Sequence, residues 1–308
     1  MASTPTLQIE AAARPPLSAT LRAAVPDFWV LTKPEVNFLI VIATFTGFYL
    51  GCPSNLHPFP FARLFSTLFG TLLVASGTGT LNQYFEHRFD ARMRRTCRRP
   101  VAGGRMRPAT AAWFGIVLSI IGAAYLLVSV NALASVLAVL TLTSYLFVYT
   151  PLKRRTPLCT LVGAFPGAMP PLIGWAAASG SVASSEAWLL YAVLFLWQFP
   201  HFMAIAWMYR EDYARAGYLV LPARNAHRFL GWLTGPSSFV LLIASLVAVG
   251  ANGGGGLYFS ATIILGSALF YYATRQVFLR TRIAARELLK ASIVYLPLQF
   301  LILVLGRG

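Results

Sequence analysis

Long apolar runs separated by short basic segments dominate the pattern of this chain. Stretches without a charged residue cover positions 36–62, 64–85, 108–152, 156–185, 187–209, 229–274 and 291–306. One membrane-spanning helix needs about 20 mostly apolar residues. The two longest runs therefore each fold back once, and turn-forming residues place these reversals at 129–132 and 251–256. The pattern predicts an all-α polytopic membrane protein with nine transmembrane helices.

Composition and charge placement support this class of protein. Hydrophobic residues make up 57% of the chain and charged residues only 11%, far from the average of soluble domains. A net charge of +16 is compatible with nucleic-acid binding, but the charges are not spread evenly. With a cytoplasmic N-terminus and nine spans, all 25 Lys and Arg residues except Arg63 and Arg307 fall on the cytoplasmic side. We expect a membrane protein with a cytoplasmic N-terminus, a C-terminus on the opposite side and no nucleic-acid partner.

The first 26 residues contain no apolar segment long enough for a secretory signal. We interpret residues 1–26 as a disordered cytoplasmic tail and residues 27–308 as one transmembrane domain. Cys52, Cys97 and Cys159 are scattered, which indicates no disulfide framework.

The densest polar chemistry stands at the end of the second apolar run. Asn82, Glu86 and Asp90 are spaced four apart in a chain with only nine acidic residues. On a helix, positions four apart drift by about 40° and share one face. An amide oxygen and two carboxylates on one face suit a hard divalent cation such as Mg²⁺. The alternative is a helix end that extends its charges into water.

Two long cytoplasmic loops, 82–107 and 210–228, and a basic turn at 153–155 carry most of the remaining charge. Carboxylates interleaved with surplus cations fit a Mg²⁺–diphosphate, because the metal bridges the carboxylates to phosphate oxygens and Arg or Lys neutralises the rest. A leaving diphosphate gains charge as its bond breaks, so such groups stabilise the transition state most. Some of the arginines serve only to set topology.

At this point the chain resembles a known family. The segments 82–100, 149–157, 167–175 and 197–222, in this order, are similar to the signatures of intramembrane (UbiA-type) prenyltransferases, and within them to the heme O synthase, or protoheme IX farnesyltransferase, branch. Two departures stand out. Glu86 occupies a position where the family usually has Asp, and the second acidic motif is reduced to Glu211-Asp212 with Ala216 four residues on, which leaves a second metal open.

The resemblance implies transfer of a farnesyl group from farnesyl diphosphate to a vinyl group of protoheme IX (heme B), giving heme O and diphosphate. It implies Mg²⁺ bound with the diphosphate, and a heme A synthase or terminal-oxidase assembly proteins acting downstream. By residue type, the metal ligands are Asn82, Glu86 and Asp90. The residues expected to bind the diphosphate or cofactor are Arg95, Arg99, Lys153, Arg154 and Asp212. Tyr149 is expected to donate a hydrogen bond to a phosphate oxygen.

His201 is the candidate for heme contact, because a lone histidine inside a span is costly and usually functional or hydrogen-bonded within the bundle. It either ligates the heme iron or forms a structural hydrogen bond with Gln198 or a backbone carbonyl. Pro166, Pro170 and Pro171 predict a kink in the fifth span that opens a cavity.

Two competing functions remain open at this stage. A transporter of an anionic metabolite is also polytopic and basic on its cytoplasmic side. However, a transporter carries polar groups near the middle of its spans, whereas the span centres of this chain are almost entirely apolar. A prenyltransferase acting on a quinone precursor is the nearer rival, and segments 149–157 and 197–202 favour the heme-type branch instead. Because the charges cluster at one membrane face, we expect the nine helices to surround a central cavity open to the cytoplasmic side.

Overall fold

The computed structural model describes residues 25–53, 58–222 and 224–307. Nine helices in these residues are long and apolar enough to cross a membrane, as predicted. They are α1 (Pro34–Gly51), α2 (Phe61–Asp90), α3 (Pro108–Ser129), α4 (Ala132–Leu152), α5 (Cys159–Ser179), α6 (Ser185–Met208), α7 (Ala226–Ala251), α8 (Gly256–Leu279) and α9 (Arg282–Leu305). A short helix, Arg210–Ala216, lies between α6 and α7. The described residues contain no strand.

The helix boundaries follow local sequence signals. Pro34 and Pro108 begin α1 and α3, since proline at the first helical position sacrifices no hydrogen bond. The side chain of Asn131 accepts a hydrogen bond from the Ala134 amide at 2.8 Å and so starts α4 directly after α3 ends. Both predicted reversals, at 129–132 and 251–256, are confirmed. Residues 1–24 of the expected tail lie outside the described residues, and residues 25–31 are helical.

Small residues let the central helices approach closely. A Cβ at Gly47 would lie 2.0 Å from the carbonyl oxygen of Pro171, and one at Gly174 would lie 2.0 Å from that of Thr44. The backbones of α1 and α5 are therefore in direct contact, which is how membrane helices gain packing energy without a hydrophobic driving force. The largest buried cluster joins α1 with α5 to α9, and large apolar side chains such as Phe65 and Phe278 are exposed outside it.

Two helices are irregular near the polar end of the bundle. In α4, residues Ser144–Tyr149 form a π-helical turn, in which the Thr150 amide bonds to the Tyr145 carbonyl five residues back. In α5, the helix is interrupted at Ala168, between Cys159–Gly167 and Met169–Ser179, so the predicted kink is present.

The kink in α5 is closely packed at its glycine. A Cβ at Gly167 would lie 2.0 Å from the side-chain oxygen of Gln198, so Gln198 fills the space beside the break. Grooves of about 310 and 390 Å³ lie between α7 and α8 and between α3 and α4. Neither groove is lined by Asn82, Glu86 or Asp90.

Candidate active site

The last turns of α2 carry three buried polar side chains on one face. Asn82, Glu86 and Asp90 are 2%, 5% and 1% exposed, whereas Phe85 between them is 44% exposed. Buried polar groups need partners, and here each one meets a cation from a different part of the chain. The predicted grouping of these residues is therefore present in the structure.

Glu86 pairs with Lys153, the residue directly after α4. The Lys153 Nζ donates to both carboxylate oxygens of Glu86, at 2.9 and 3.1 Å. Burial alone would lower the pKa of Lys153, but the Glu86 carboxylate outweighs it and holds this pKa well above its ordinary value. The ammonium also lies over the rings of Tyr149, at 4.5 Å, and Tyr145, at 5.9 Å.

The π turn of α4 and a glycine of α5 position these aromatic rings. Tyr145 and Tyr149 both lie within the π-helical turn and pack against each other with ring centroids 5.0 Å apart. A Cβ at Gly163 would lie 2.5 Å from the Tyr149 ring, so only glycine leaves room for it. Sequence reasoning identified Tyr149 but missed Tyr145, because a π turn has no clear sequence signal.

Asp90 is held at one oxygen and free at the other. Its Oδ2 accepts a hydrogen bond from Arg99 at 2.7 Å, and its backbone carbonyl accepts one from Thr96 at 3.0 Å. Its Oδ1 is buried with no hydrogen-bond partner among the described residues. A buried carboxylate oxygen without a donor is costly, so Oδ1 is a natural position for a cation that comes with a ligand.

The amide of Asn82 is engaged by Lys33, a residue that sequence reasoning missed. Lys33 lies in the left-handed region (φ 53°) at the turn before α1, and its Nζ donates to the Asn82 Oδ1 at 2.8 Å. Burial, followed by the nearby cations Arg99 and Lys153, lowers the pKa of Lys33 to about 7. The available sequence signal for Lys33 is its position before Pro34. A lysine that precedes a span is usually interpreted as a membrane anchor, so this position did not indicate a site residue.

The second loop contacts the first but adds no acidic cluster. The Asp212 carboxylate accepts a hydrogen bond from the Arg95 backbone amide at 3.2 Å and pairs with Arg215. The Arg95 guanidinium lies over the Tyr209 ring at 5.1 Å. Glu211 points outward, with 83% of its side chain exposed. Glu211 and Asp212 therefore do not converge on one point.

Arg154 is also held by an aromatic ring. Its guanidinium lies over Phe89 at 4.4 Å, within the last turn of α2. Of the predicted diphosphate-binding cations, Lys153 and Arg99 contact the carboxylates directly, while Arg154 and Arg95 lie on aromatic rings nearby.

The oxygen ligands at the end of α2 suit a Mg²⁺ ion bound together with a substrate, and they do not form a metal site built from protein ligands alone. No group of three or more His, Cys, Asp or Glu side chains that could hold a metal occurs in the part of the chain described. Mg²⁺ is commonly held by one or two carboxylates together with substrate phosphates and water. Glu86 and Asp90, with the amide oxygen of Asn82, match that need, and the unpaired Asp90 Oδ1 supports the fit.

His201 lies apart from this cluster, on α6. Its Nδ1 is 2.9 Å from the Ser292 hydroxyl of α9, and its ring stacks on Trp197 at 4.4 Å. The Ser292 hydroxyl also donates to the Leu289 carbonyl at 2.7 Å. Because a serine has one proton to donate, it accepts from His201, which makes Nδ1 the protonated nitrogen. The lone pair of Nε2 then remains available. The predicted structural partners were Gln198 or a backbone carbonyl, whereas His201 pairs with the Ser292 hydroxyl and Gln198 bonds to the Ala164 carbonyl.

Comparison with known proteins assigns the fold and the family. The profile of the UbiA prenyltransferase family matches residues 40–296, and the chain belongs to this family. It is 44% identical to a protoheme IX farnesyltransferase of Solibacter usitatus, over 91% of this chain and 98% of the relative. It is 41% identical to a protoheme IX farnesyltransferase of Koribacter versatilis, over 96% of each chain.

Solved structures share the architecture at low sequence identity. A digeranylgeranylglyceryl phosphate synthase superimposes with a TM-score of 0.69 at 15% identity, covering 94% of this chain and 99% of that one. A UbiA homolog from Archaeoglobus fulgidus bound to GPP and Mg²⁺ has a TM-score of 0.59 at 14% identity, covering 90% of this chain and 99% of that one. The chain is thus a multi-span membrane protein with the fold of this family.

Proposed function

We propose that this protein transfers the farnesyl group of farnesyl diphosphate to a vinyl group of protoheme IX, giving heme O and diphosphate. The observation that carries the proposal is the buried cluster at the end of α2, where two carboxylates and an amide meet Lys33, Lys153 and Arg99. The relatives at 41–44% identity named protoheme IX farnesyltransferase support heme, over a quinone precursor, as the acceptor. The same family membership argues against a transporter.

The cluster can exchange its ion pairs for a metal-bound diphosphate. Without substrate, the cations neutralise Glu86 and Asp90, which would otherwise be buried, uncompensated charges. When bound, Mg²⁺ would supply charge neutralisation of the diphosphate, held by Asn82, Glu86 and Asp90. Lys153 and Arg99 would then turn to phosphate oxygens, while Arg95, Arg154 and Tyr149 lie close enough to assist.

The transfer follows from stabilising the leaving group. The bond between the farnesyl C1 and its oxygen breaks, and its electron pair stays on the diphosphate, where positive side chains stabilise the growing charge. The vinyl π electrons of the heme form the new carbon–carbon bond to C1. A water molecule adds to the resulting cation and loses one proton, which leaves a hydroxyethylfarnesyl group. Aromatic faces beside the cluster, such as Tyr149, stabilise the allylic cation.

On the acceptor side, we propose that His201 binds the heme. Its Nδ1–H is fixed by Ser292 and its ring by Trp197, which leaves the Nε2 lone pair as the one available to ligate iron. This is the arrangement seen at metal sites, where a hydrogen bond to the second nitrogen sets the tautomer and raises ligand basicity. We assign the cofactor-binding role of Asp212 to positioning, since it holds the Arg95 backbone.

The membrane arrangement completes the proposal. Residues 27–308 form the catalytic domain in the bacterial inner membrane, with the N-terminus and the cluster on the cytoplasmic side and the C-terminus in the periplasm. The charged diphosphate would enter from the cytoplasmic side through a cavity between the helices, and the isoprenoid tail would enter from the bilayer. The product is then available to a heme A synthase or to terminal-oxidase assembly.

The test is a transfer assay with purified protein. Protoheme, farnesyl diphosphate and Mg²⁺ are incubated with the protein in detergent, and farnesylated heme is measured by mass spectrometry. Parallel reactions replace protoheme with a 4-hydroxybenzoate acceptor or omit the metal by adding EDTA. We expect product only with protoheme and Mg²⁺. Prenylation of the hydroxybenzoate instead would show that the acceptor is a quinone precursor.

A further inference from the structure

Tyr218 reaches the cluster from the second loop. The short helix Arg210–Ala216 ends at Gly217, whose φ of 74° turns the chain back. Directly after Tyr218, the Leu219 amide donates to the Lys153 carbonyl at 2.7 Å. The main chain at Tyr218 is therefore fixed beside the lysine that pairs with Glu86.

Aromatic packing holds the ring of Tyr218 against the end of α2. Its centroid lies 5.8 Å from that of Phe89 and 6.1 Å from that of Tyr213. The residue is 6% exposed and belongs to a small buried cluster with Met93 and Ala216. A ring packed on several sides cannot turn its hydroxyl outward to water.

The hydroxyl of Tyr218 lies beside the Glu86 carboxylate but does not reach hydrogen-bond geometry with it. Glu86, Lys153 and Asp90 are the charged groups that face it. Even so, the hydroxyl is buried without a hydrogen-bond partner among the described residues. An ordinary tyrosine hydroxyl keeps its proton at neutral pH, so this hydroxyl remains a donor.

Two unpaired buried atoms with opposite needs thus occur at this one cluster. The Tyr218 hydroxyl offers a proton to an anionic oxygen, and the Asp90 Oδ1 can only accept from a donor or bind a cation. Native proteins leave few such atoms unsatisfied, and those that remain are often completed by a ligand or an ion. A metal-bound diphosphate satisfies both atoms, because it brings the cation and the anionic oxygen together.

We propose that Tyr218 is a catalytic residue whose hydroxyl donates a hydrogen bond to a phosphate oxygen of the leaving diphosphate. The inference rests on the proposed function. No proton is transferred: the carbon–oxygen bond breaks with its electron pair on the diphosphate, and the hydrogen bond strengthens as that charge grows. Tyr218 would act on the diphosphate together with Lys153 and Arg99.

The experiment compares Tyr218→Phe with the parent protein and with Tyr271→Phe, which removes a hydroxyl from an exposed tyrosine of α8. We measure kcat/KM for farnesyl diphosphate, the affinity of the Mg²⁺-loaded protein for inorganic diphosphate by calorimetry, and the heme spectrum. We expect Tyr218→Phe to lower kcat/KM by about 10- to 100-fold and to weaken diphosphate binding, with an unchanged heme spectrum. Tyr271→Phe should match the parent.

Stability provides a second measurement. Because the hydroxyl has no partner in the ligand-free protein, its removal should not lower the melting temperature without substrate. A lower melting temperature with unchanged diphosphate affinity would assign Tyr218 a structural role and overturn the inference. So would a shifted Mg²⁺ requirement with normal diphosphate affinity, since Tyr218 would then orient Glu86. If the parent binds Mg²⁺–diphosphate but makes no farnesylated heme, the proposed function fails, whereas the diphosphate comparison still decides Tyr218.

Discussion

Asp90→Asn is the sharpest test of the metal assignment. The substitution preserves the shape of the side chain but removes its charge. Arg99 donates to Oδ2 at 2.7 Å, so the amide oxygen of the new side chain must remain with Arg99. The amide nitrogen then occupies the position of the unpaired Oδ1. Since an amide NH₂ has no lone pair for a metal, the metal loses one ligand and meets a donor instead.

The magnitude follows from this loss. Removing one preorganised group that stabilises transition-state charge costs about 100- to 1,000-fold in kcat, or about 2.7–4 kcal/mol. We expect kcat/KM for farnesyl diphosphate to fall by at least that factor. The stability loss should be smaller, about 1–2 kcal/mol, because the Arg99 side chain is 24% exposed and water partly replaces its partner.

The assay is heme farnesylation followed by mass spectrometry, together with a thermal melt and a heme titration. Glu287→Gln is the matched control, since Glu287 pairs with Arg275 at the adjoining ends of α8 and α9. That variant should retain activity. Heme binding should survive in Asp90→Asn. An Asp90→Asn protein with activity within about threefold of the parent, or a parent insensitive to EDTA, would refute the metal assignment.

Three further predictions concern the acceptor side, the π turn and topology. His201→Ala should shift the Soret band and weaken heme binding by a few kcal/mol, and Ser292→Ala should have the same effects more mildly. An unaltered Soret band with a stability loss of roughly 0.6–2 kcal/mol would indicate that His201 forms only an interhelical hydrogen bond. Gly163→Ala should displace the Tyr149 ring and destabilise the fold by about 1–3 kcal/mol. It should lower kcat/KM for farnesyl diphosphate without affecting the heme titration. An unchanged kcat/KM would show that Tyr149 takes no part in the reaction. A reporter active only in the cytoplasm should stay silent when fused after Gly308, and a bright signal would mean an even number of spans or an inverted chain.

The helices were predictable because the length of an apolar run is a direct physical requirement of the bilayer. Each run could be compared with the membrane thickness, and each double-length run contained turn-forming residues such as Asn131 and Asn252. The shared face of Asn82, Glu86 and Asp90 was predictable for the same kind of reason, since helical periodicity fixes it locally.

The partners of those residues were not predictable, because spacing along one helix says nothing about other elements. Lys153 and Arg99 were assigned to the diphosphate, whereas in the ligand-free protein they contact Glu86 and Asp90. Lys33 reaches the cluster at the end of α2 from a turn in which its own backbone is left-handed. Tyr218 enters through a glycine-terminated loop far along the chain, so no sequence pattern connected it to α2.

The π-helical turn in α4 shifts the rotation of the helix after it relative to the helix before it. Such a turn accommodates one extra residue, and one residue corresponds to 100° around a regular helix. The part before Ser144 can thus keep its apolar surface toward the lipid while Lys153 still faces Glu86. Deleting one residue within Ser144–Tyr149 would restore regular α geometry and turn the lysine to a different side. Among homologues, a one-residue insertion or deletion in α4 is therefore expected to be accommodated within this turn. The lipid-facing part of the helix and the part that carries Lys153 would then both keep their orientations.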